Sequence, residues 1–292
     1  MRSITELARA KINLTLDVLR RRPDGYHEVE MIMQTLELAD TISISSTEQG
    51  IVLETGSTDI PPGQDNIAWR AARLMVDSFG VSGGLKICLH KNIPVAAGLA
   101  GGSTDAAAVL RGINRLWELG LTTEELCDLG ARLGSDVPFC VREGTALATG
   151  RGEIIHPLAP CPEFWIVLVK PPVGVSTAEV YGKFEQGKVL NRPDNAAMRE
   201  AIGVGDREGI SAGLCNVLES VTLSLVPEVG DIKRALLRDG AINALMSGSG
   251  PTVFGIARDK EHACQLAQGF SDKNYTKIIT RTVSNSNRRD EA

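Results

Sequence analysis

Residues 93–110 read IPVAAGLAGGSTDAAAVL. Gly98, Gly101 and Gly102 lead into Ser103, Thr104 and Asp105, and then into an alanine-rich run. Beyond that point Ala106, Val109, Leu110, Ile113 and Trp117 recur at helical spacing. A helix start leaves its first amides unpaired, and the aligned peptide dipoles add partial positive charge there. Glycine removes the side chain that would hold a bulky anion away from those amides. The hydroxyls of Ser103 and Thr104 offer further bonds to phosphate oxygens or to a metal. The stretch is neither a Walker loop, which needs Gly-Lys-Ser/Thr, nor a G-x-G-x-x-G dinucleotide fingerprint. A tight loop before a well-formed helix would use the same residues, so the segment alone leaves both readings open.

Three other places carry reactive side chains. In ARAKINLTLDV (8–18), Ala8, Ala10, Ile12, Leu14, Leu16 and Val18 alternate with Arg9, Lys11, Asn13, Thr15 and Asp17, which predicts a half-buried strand. Lys11 and Asn13 then project the same way, about 7 Å apart. LGSDVPF sets Asp136 in a loop after a helix, where a carboxylate can serve as a proton acceptor or merely as a turn residue. SGSGPTVFG (247–255) is a second flexible turn, read most simply as the bend between two strands.

The elements that must position these groups follow from periodicity. RRRPDGYH ends the first strand with a Pro-Asp-Gly turn, and strand-like runs follow at Met31–Leu38 and Thr41–Ser45. A helix is expected over Asn66–Phe79 with Asp65 as its cap, and Leu85, Ile87 and Leu89 alternate as a strand entering the glycine loop. Thr122 and Glu125 form a capping box. A second module begins near Pro157–Pro162, with a buried strand at 164–169 and a poorly periodic stretch at 185–210. Helices near 211–223 and 228–238 precede a strand, glycine turn and strand in INALMSGSGPTVFGIA, and the polar residues 284–292 are expected to fray. Mixed order without regular βαβ alternation points to an α+β fold.

Composition removes several classes. The chain has 292 residues, a net charge of −5 and a hydrophobic fraction of 43%, the profile of a globular protein with a sizeable core and without a nucleic-acid-binding face. The apolar run FWIVLV is too short to span a bilayer, and no secretory signal follows Arg2. Six cysteines lie at 88, 127, 140, 161, 215 and 264 with no C-x-x-C or zinc-ligand spacing, which fits reduced thiols in a cytoplasm.

Taken together, AKINL, RPDGYH, GLAGGSTDAAA, GSDVPF and SGSGPTVFG, in that order from residue 8 to residue 257, closely resemble the motifs of the GHMP kinase superfamily of small-molecule kinases. The resemblance implies an N-terminal α+β domain (1–157) and a ferredoxin-like α+β domain (158–292), with the active site between them. It implies ATP as co-substrate, wrapped at its phosphates by Pro94, Val95, Ala96, Ala97, Gly98, Leu99, Ala100, Gly101, Gly102, Ser103 and Thr104. Asn66 and Lys91 match adenosine-pocket positions, and Lys11 and Asp136 match the catalytic lysine and aspartate. The form of the motifs is similar to the branch that phosphorylates a cytidylyl-methylerythritol. By that resemblance Asn13 places the erythritol arm, Tyr26 and His27 hold the cytosine ring, and Tyr181, within PPVGVSTAEVY, closes the cytidine slot. Magnesium is expected with ATP, its protein ligands unassigned. Charge, hydropathy and cysteine spacing lead to the expectation of a cytoplasmic protein acting on small molecules, with no nucleic acid or membrane partner, as a monomer or a homodimer. The alternatives are a kinase of the homoserine or mevalonate type, a non-catalytic ligand-binding relative, and a nucleotide-binding structural protein. The RPDGYH segment disfavours the first, and the pair Lys11 and Asp136 disfavours the second. The Asp136 loop, which such a protein would not need, disfavours the third.

Overall fold

Alternation at the start of the chain produces a strand much longer than the motif that marks it. In the computed structural model, which describes residues 2–56, 60–81, 83–271 and 273–283, β1 runs over Ser3–Arg21 and β2 over His27–Thr47. There follow β3 (Ile51–Thr55), α1 (Ile67–Phe79), β4 (Gly84–His90), α2 (Gly101–Leu116), α3 (Thr123–Ala131) and α4 (Val137–Arg142). Then come β5 (Thr145–Thr149), β6 (Ile154–Pro157), β7 (Trp165–Lys170), α5 (Thr177–Lys183), α6 (Asn195–Val204), α7 (Arg207–Ala212) and β8 (Cys215–Asn216). The described chain ends with α8 (Glu219–Leu225), α9 (Glu228–Arg238), β9 (Asn243–Met246), β10 (Val253–Ala257), α10 (Lys260–Gln268) and β11 (Thr276–Arg281).

These elements pack as two units that interleave in sequence. The first takes the chain up to Ala10, Leu38–Val95 and Ala100–Arg142; the second takes Lys11–Glu37, Ala96–Leu99 and everything from Glu143 onward. β1 and β2 each contribute to both.

In the first unit the later half of β2 pairs antiparallel with β4, Thr41 opposite His90, and β4 pairs parallel with β3. Helix α2 is buried around its whole circumference from Thr104 to Ile113, which explains the alanine run: small side chains admit neighbours on every side. At Gly112 a Cβ would stand 2.6 Å from Ile44 Cδ1. Arg111, buried on α2, donates to the carbonyls of Leu7 and Cys140 and to Glu6, tying the helix to β1 and α4. The α3 capping box forms as the sequence predicts. The α1 cap does not: Asn66, not Asp65, accepts from the Ala68 amide at 2.9 Å.

In the second unit β8 pairs parallel with β1, β1 neighbours β2, and β2 pairs with β5 and β5 with β6, both antiparallel. A separate sheet runs β11-β7-β10-β9, all antiparallel, with α9 and α10 packed on it. With its strands taken in chain order this is the 4-1-3-2 arrangement of a ferredoxin-like βαββαβ unit, as expected.

Several expectations need correction. The two runs at 31–38 and 41–45 are one strand, β2. The helix expected over 211–223 is two, α7 and α8, split by β8 where Asn216 joins the edge of β1. Stretch 185–210 holds α6, capped by Asp194 and closed at Gly205, which adopts φ 71°. From Ala10 to Val18 both faces of β1 are buried, not one. Polar partners from the second unit cover the hydrophilic face: Asn195 accepts from the Thr15 hydroxyl and Arg192 donates to Asp17, each at 2.5 Å. The expected fraying at 284–292 lies outside the described residues.

Candidate active site

The glycine loop begins where β4 ends and finishes where α2 starts. Its backbone alternates in hand: Ala96, Gly98 and Ala100 have φ of 50°, 74° and 60°, while Ala97 and Leu99 between them keep ordinary negative values. Alternation of this kind is the backbone pattern of a nest, in which successive N–H groups can face one anion. Two alanines held left-handed cost about 1–2 kcal/mol each, strain of the sort that persists at ligand clamps. Ala100, at the cap of α2, supplies no capping side chain, so the first-turn amides of this 16-residue helix keep their partial positive charge. Gly101 and Gly102 are tightly backed, since a Cβ would lie 3.2 Å from Ile93 Cγ2 at the first and 3.3 Å from Ile67 Cγ2 at the second.

Hydroxyl and amide groups near the loop divide into partly exposed and committed ones. Ser103 is partly exposed. Thr104 is fully buried; its hydroxyl donates to the Arg9 carbonyl at 2.6 Å and its amide to Ala100. Asn66 is likewise occupied, its oxygen on the α1 cap and its amide on the Pro61 carbonyl at 3.1 Å. Lys91 holds two carboxylates, Asp40 and Asp105. Asp136 is partly exposed, directly ahead of α4, and its carbonyl accepts from the Cys140 amide that closes the first turn.

In the second unit Lys11 is 4% exposed and Asn13 0%. The strand pleat places them as the spacing requires: Lys11 Nζ donates to Asn13 Oδ1 at 2.7 Å. It also reaches the Gly98 carbonyl at 3.4 Å, and the Lys11 amide donates to the Leu99 carbonyl at 3.2 Å. The turn 247–250 backs the same spot. Ser247 Oγ donates to the Gly98 carbonyl at 3.0 Å, and Asn216 Nδ2 fixes the turn through the Met246 and Gly248 carbonyls at 2.9 and 2.8 Å. Asn216 and the Ser247 turn are supports that sequence spacing did not reveal; their signal is the glycine cluster at 248–250, which reads alone as a simple bend.

A third cluster lies beyond the Pro-Asp-Gly turn of the same unit. The Tyr26 ring is 53% exposed, so it is no core residue, and the Arg151 guanidinium sits 4.9 Å from its centroid. The His27 ring lies 5.3 Å from Tyr181 and 6.4 Å, edge-on, from Phe184. Burial, then the Arg21 charge, hold the His27 imidazole below its ordinary pKa and keep it neutral at pH 7. A neutral imidazole has one donor and one acceptor nitrogen, suited to the edge of a heterocycle. Phe184 and Arg151 are additions to the expected set. Their signal was weak, because both join the cluster by long-range folding.

The structure thus brings Lys11, Asn13 and Gly98 together in one unit and His27 with Tyr181 in the same unit, and it gathers Lys91, Gly101 and Gly102 at the helix start of the other. Among the described residues no group of three or more His, Cys, Asp or Glu is arranged to hold a metal ion, and no helix is long and apolar enough to cross a membrane.

The family model described as GHMP kinases N terminal domain matches residues 66–144, and that described as GHMP kinases C terminal matches 197–276. A protein of Pelotomaculum thermopropionicum named 4-diphosphocytidyl-2-C-methyl-D-erythritol kinase is 52% identical over 96% of this chain and 98% of its own. One of Geobacillus kaustophilus with the same name is 55% identical over 90% of each. A crystal structure of 4-(cytidine 5'-diphospho)-2C-methyl-D-erythritol kinase superposes with a TM-score of 0.81 at 33% identity, covering 96% of this chain and all of that one. Homoserine kinase from Cytophaga hutchinsonii shares the fold at a TM-score of 0.77 and 19% identity, over 97% and 95% of the two chains. With its alternating glycine-loop backbone, its lysine–asparagine strand and both family segments in order, this chain belongs to the GHMP kinases.

Proposed function

We propose that the chain transfers the γ-phosphate of ATP to the 2-hydroxyl of 4-diphosphocytidyl-2-C-methyl-D-erythritol, a step of the non-mevalonate isoprenoid precursor route. The carrying observation is identity of 52% and 55% to kinases of that name over nine-tenths or more of both chains. The aromatic cluster of His27, Tyr181 and Phe184 supports the same reading, because a cytidine-bearing acceptor needs a stacking slot that a small hydroxy acid does not.

In this reading residues 94–103 receive the ATP phosphates on the amides of the alternating loop and of the α2 start, with Thr104 anchoring the helix from within. Phosphoryl transfer needs alignment and positive charge at the transferring oxygens more than covalent help. Lys11, oriented by Asn13, supplies that charge, and Asp136 accepts the proton of the attacking hydroxyl. Asn13 and Tyr26 complete the acceptor side, and Asn66 and Lys91 border the adenosine. Magnesium entering with ATP would offset phosphate charge. Ser103, partly exposed, is the hydroxyl of the loop that fits it, since Asp40 and Asp105 are already held by Lys91. The matched segments fall on either side of the proposed domain boundary at 157/158. In this reading the chain acts in the cytoplasm, as a monomer or a homodimer.

The test is an ATP-dependent phosphorylation assay offering cytidylyl-methylerythritol, homoserine and mevalonate to one preparation. Turnover with the first and background with the others is expected; preference for homoserine or mevalonate would overturn the assignment.

A further inference from the structure

Two buried carboxylates, Asp40 and Asp105, meet the part-buried Lys91 at the base of the phosphate loop, and the chemistry above gives the carboxylates no task. Asp40, on β2, is fully buried and uses both carboxylate oxygens on the loop's entry. Its Oδ1 accepts from the amides of Asn92 and Ile93 at 2.5 and 2.8 Å, and its Oδ2 from the Lys91 ammonium. The same ammonium donates at 2.7 Å to Oδ2 of Asp105, in the second turn of α2 and therefore on the loop's exit. Lys91 Nζ would lie 3.3 Å from a Cβ at Gly101, so the charge sits beside the first residue of the helix.

We propose that Asp40, Lys91 and Asp105 form a buried strap fixing the distance between the two ends of the phosphate loop, and that Asp40 and Asp105 are positioning residues for ATP. The proposal rests on the reading of 94–104 as the ATP loop. Three facts support a positioning task over simple stabilisation. Surrounding core positions at Ala106, Val109 and Ile113 are apolar, and a buried ion pair seldom improves on a well-packed apolar pair for stability alone. The strap bonds both ends of one loop, adding a directional ionic hold to the close approach of Gly101 to Ile93. Lastly, Asp105 Oδ1 is buried without a partner to satisfy it, a cost offset by what Oδ2 gains on Lys91. Burial and the neighbouring Asp40 charge raise the Asp105 pKa to about 8 against the pull of Lys91, so the strap carries a proton at neutral pH rather than an excess negative charge beneath an anion site.

The test compares Asp105→Ala, Asp105→Asn and wild type in three measurements: direct binding of a non-hydrolysable ATP analogue, KM for each substrate, and thermal unfolding. Asp105→Ala should weaken the analogue at least tenfold and raise KM for ATP in parallel, with KM for the cytidylyl acceptor within twofold. Asp105→Asn keeps an oxygen acceptor for Lys91 and should recover most of that loss. Unchanged analogue affinity in folded Asp105→Ala, or equal increases in both KM values, would overturn the strap. If Asp105→Ala does not fold, Asp105→Val, which fills more of the space but likewise offers Lys91 no acceptor, decides in its place: a threefold or larger loss of analogue affinity at unchanged acceptor KM supports the strap, and a smaller loss overturns it. Failure of wild type to bind the analogue would instead strike the ATP-loop reading itself.

Discussion

Gly98→Ala is the sharpest probe of how the loop is held. At this glycine φ is 74°, and an added Cβ would stand 2.3 Å from the Ser247 carbonyl oxygen and 2.9 Å from that of Gly250. Both atoms are backbone, so relief requires the loop or the 247–250 turn to retreat by about 1 Å. The left-handed conformation adds about 1–2 kcal/mol for any side chain. Overpacking of a fixed contact adds about 1–3 kcal/mol, for a total of roughly 2–5 kcal/mol. The retreat also shifts the Gly98 carbonyl, which accepts from Ser247 and from Lys11. Displacing a phosphate-transfer site by about 1 Å can cost about 10²-fold in rate. Gly120→Ala is the matched control, because its φ is 69° but nothing lies within 4 Å of the added carbon. Denaturant unfolding and steady-state kinetics on both proteins should show a modest stability loss of about 1–2 kcal/mol with normal turnover for Gly120→Ala. Gly98→Ala should lose more of each. Matching behaviour of the two variants would refute the claim that the turn presses on the loop.

Asp136→Asn should lower kcat by about 10² or more while leaving ATP binding intact, and Lys11→Ala should do likewise. The double variant should lose less free energy of activation than the two single losses added, and full additivity would show that the two groups act separately. Tyr26→Ala should raise KM for the cytidylyl acceptor about tenfold, from a stacking loss of about 1–3 kcal/mol, without moving KM for ATP. Because that ring is half exposed, its removal should leave the melting temperature nearly unchanged, and a large drop would mark Tyr26 as structural. The raised Asp105 pKa means the folded state binds one proton more than the unfolded chain between roughly pH 4 and 8, so this group's contribution to stability is present at low pH and fades as pH rises through that window. Asp105→Asn should therefore gain stability relative to wild type on going from pH 5 to pH 8.5, and a difference that does not vary with pH would refute the shift.

How much could be read from the chain varies with the range of the interaction. The strand bearing Lys11 and Asn13 was legible because alternation is local, and the Lys11–Asn13 bond follows directly from the pleat. The burial of that strand's polar face was not, because its cover comes from Asn195 and Arg192, far along the chain. The α1 cap went to the neighbouring residue because Asp65 and Asn66 are equally good caps by type. Helix α6 carried readable signals, Asp194 before it and Gly205 after it, masked by weak apolar periodicity. Strand β8, two residues long, has no period to detect. The strap of Asp40, Lys91 and Asp105 was invisible for a further reason: no spacing rule joins positions 40, 91 and 105 until the fold does.

The interleaving of the two units has a consequence for how the protein is made. Once a ribosome has passed Arg142, every segment of the first unit exists. The second unit must wait, because its opening segment, Lys11–Glu37, pairs with β8 through Thr15 opposite Cys215, and its second sheet needs β11. At about 5–20 residues per second that interval lasts on the order of ten to thirty seconds. Throughout it Ile12, Leu14, Leu16 and Val18 form an apolar strand without its final neighbours, the kind of unpaired edge that recruits holdase chaperones or aggregates. The segment that carries Lys11 thus leaves the ribosome long before its partners and is among the last to find its place, and destabilising β8 or β11 should reduce soluble yield in cells more than it reduces the stability of the finished enzyme.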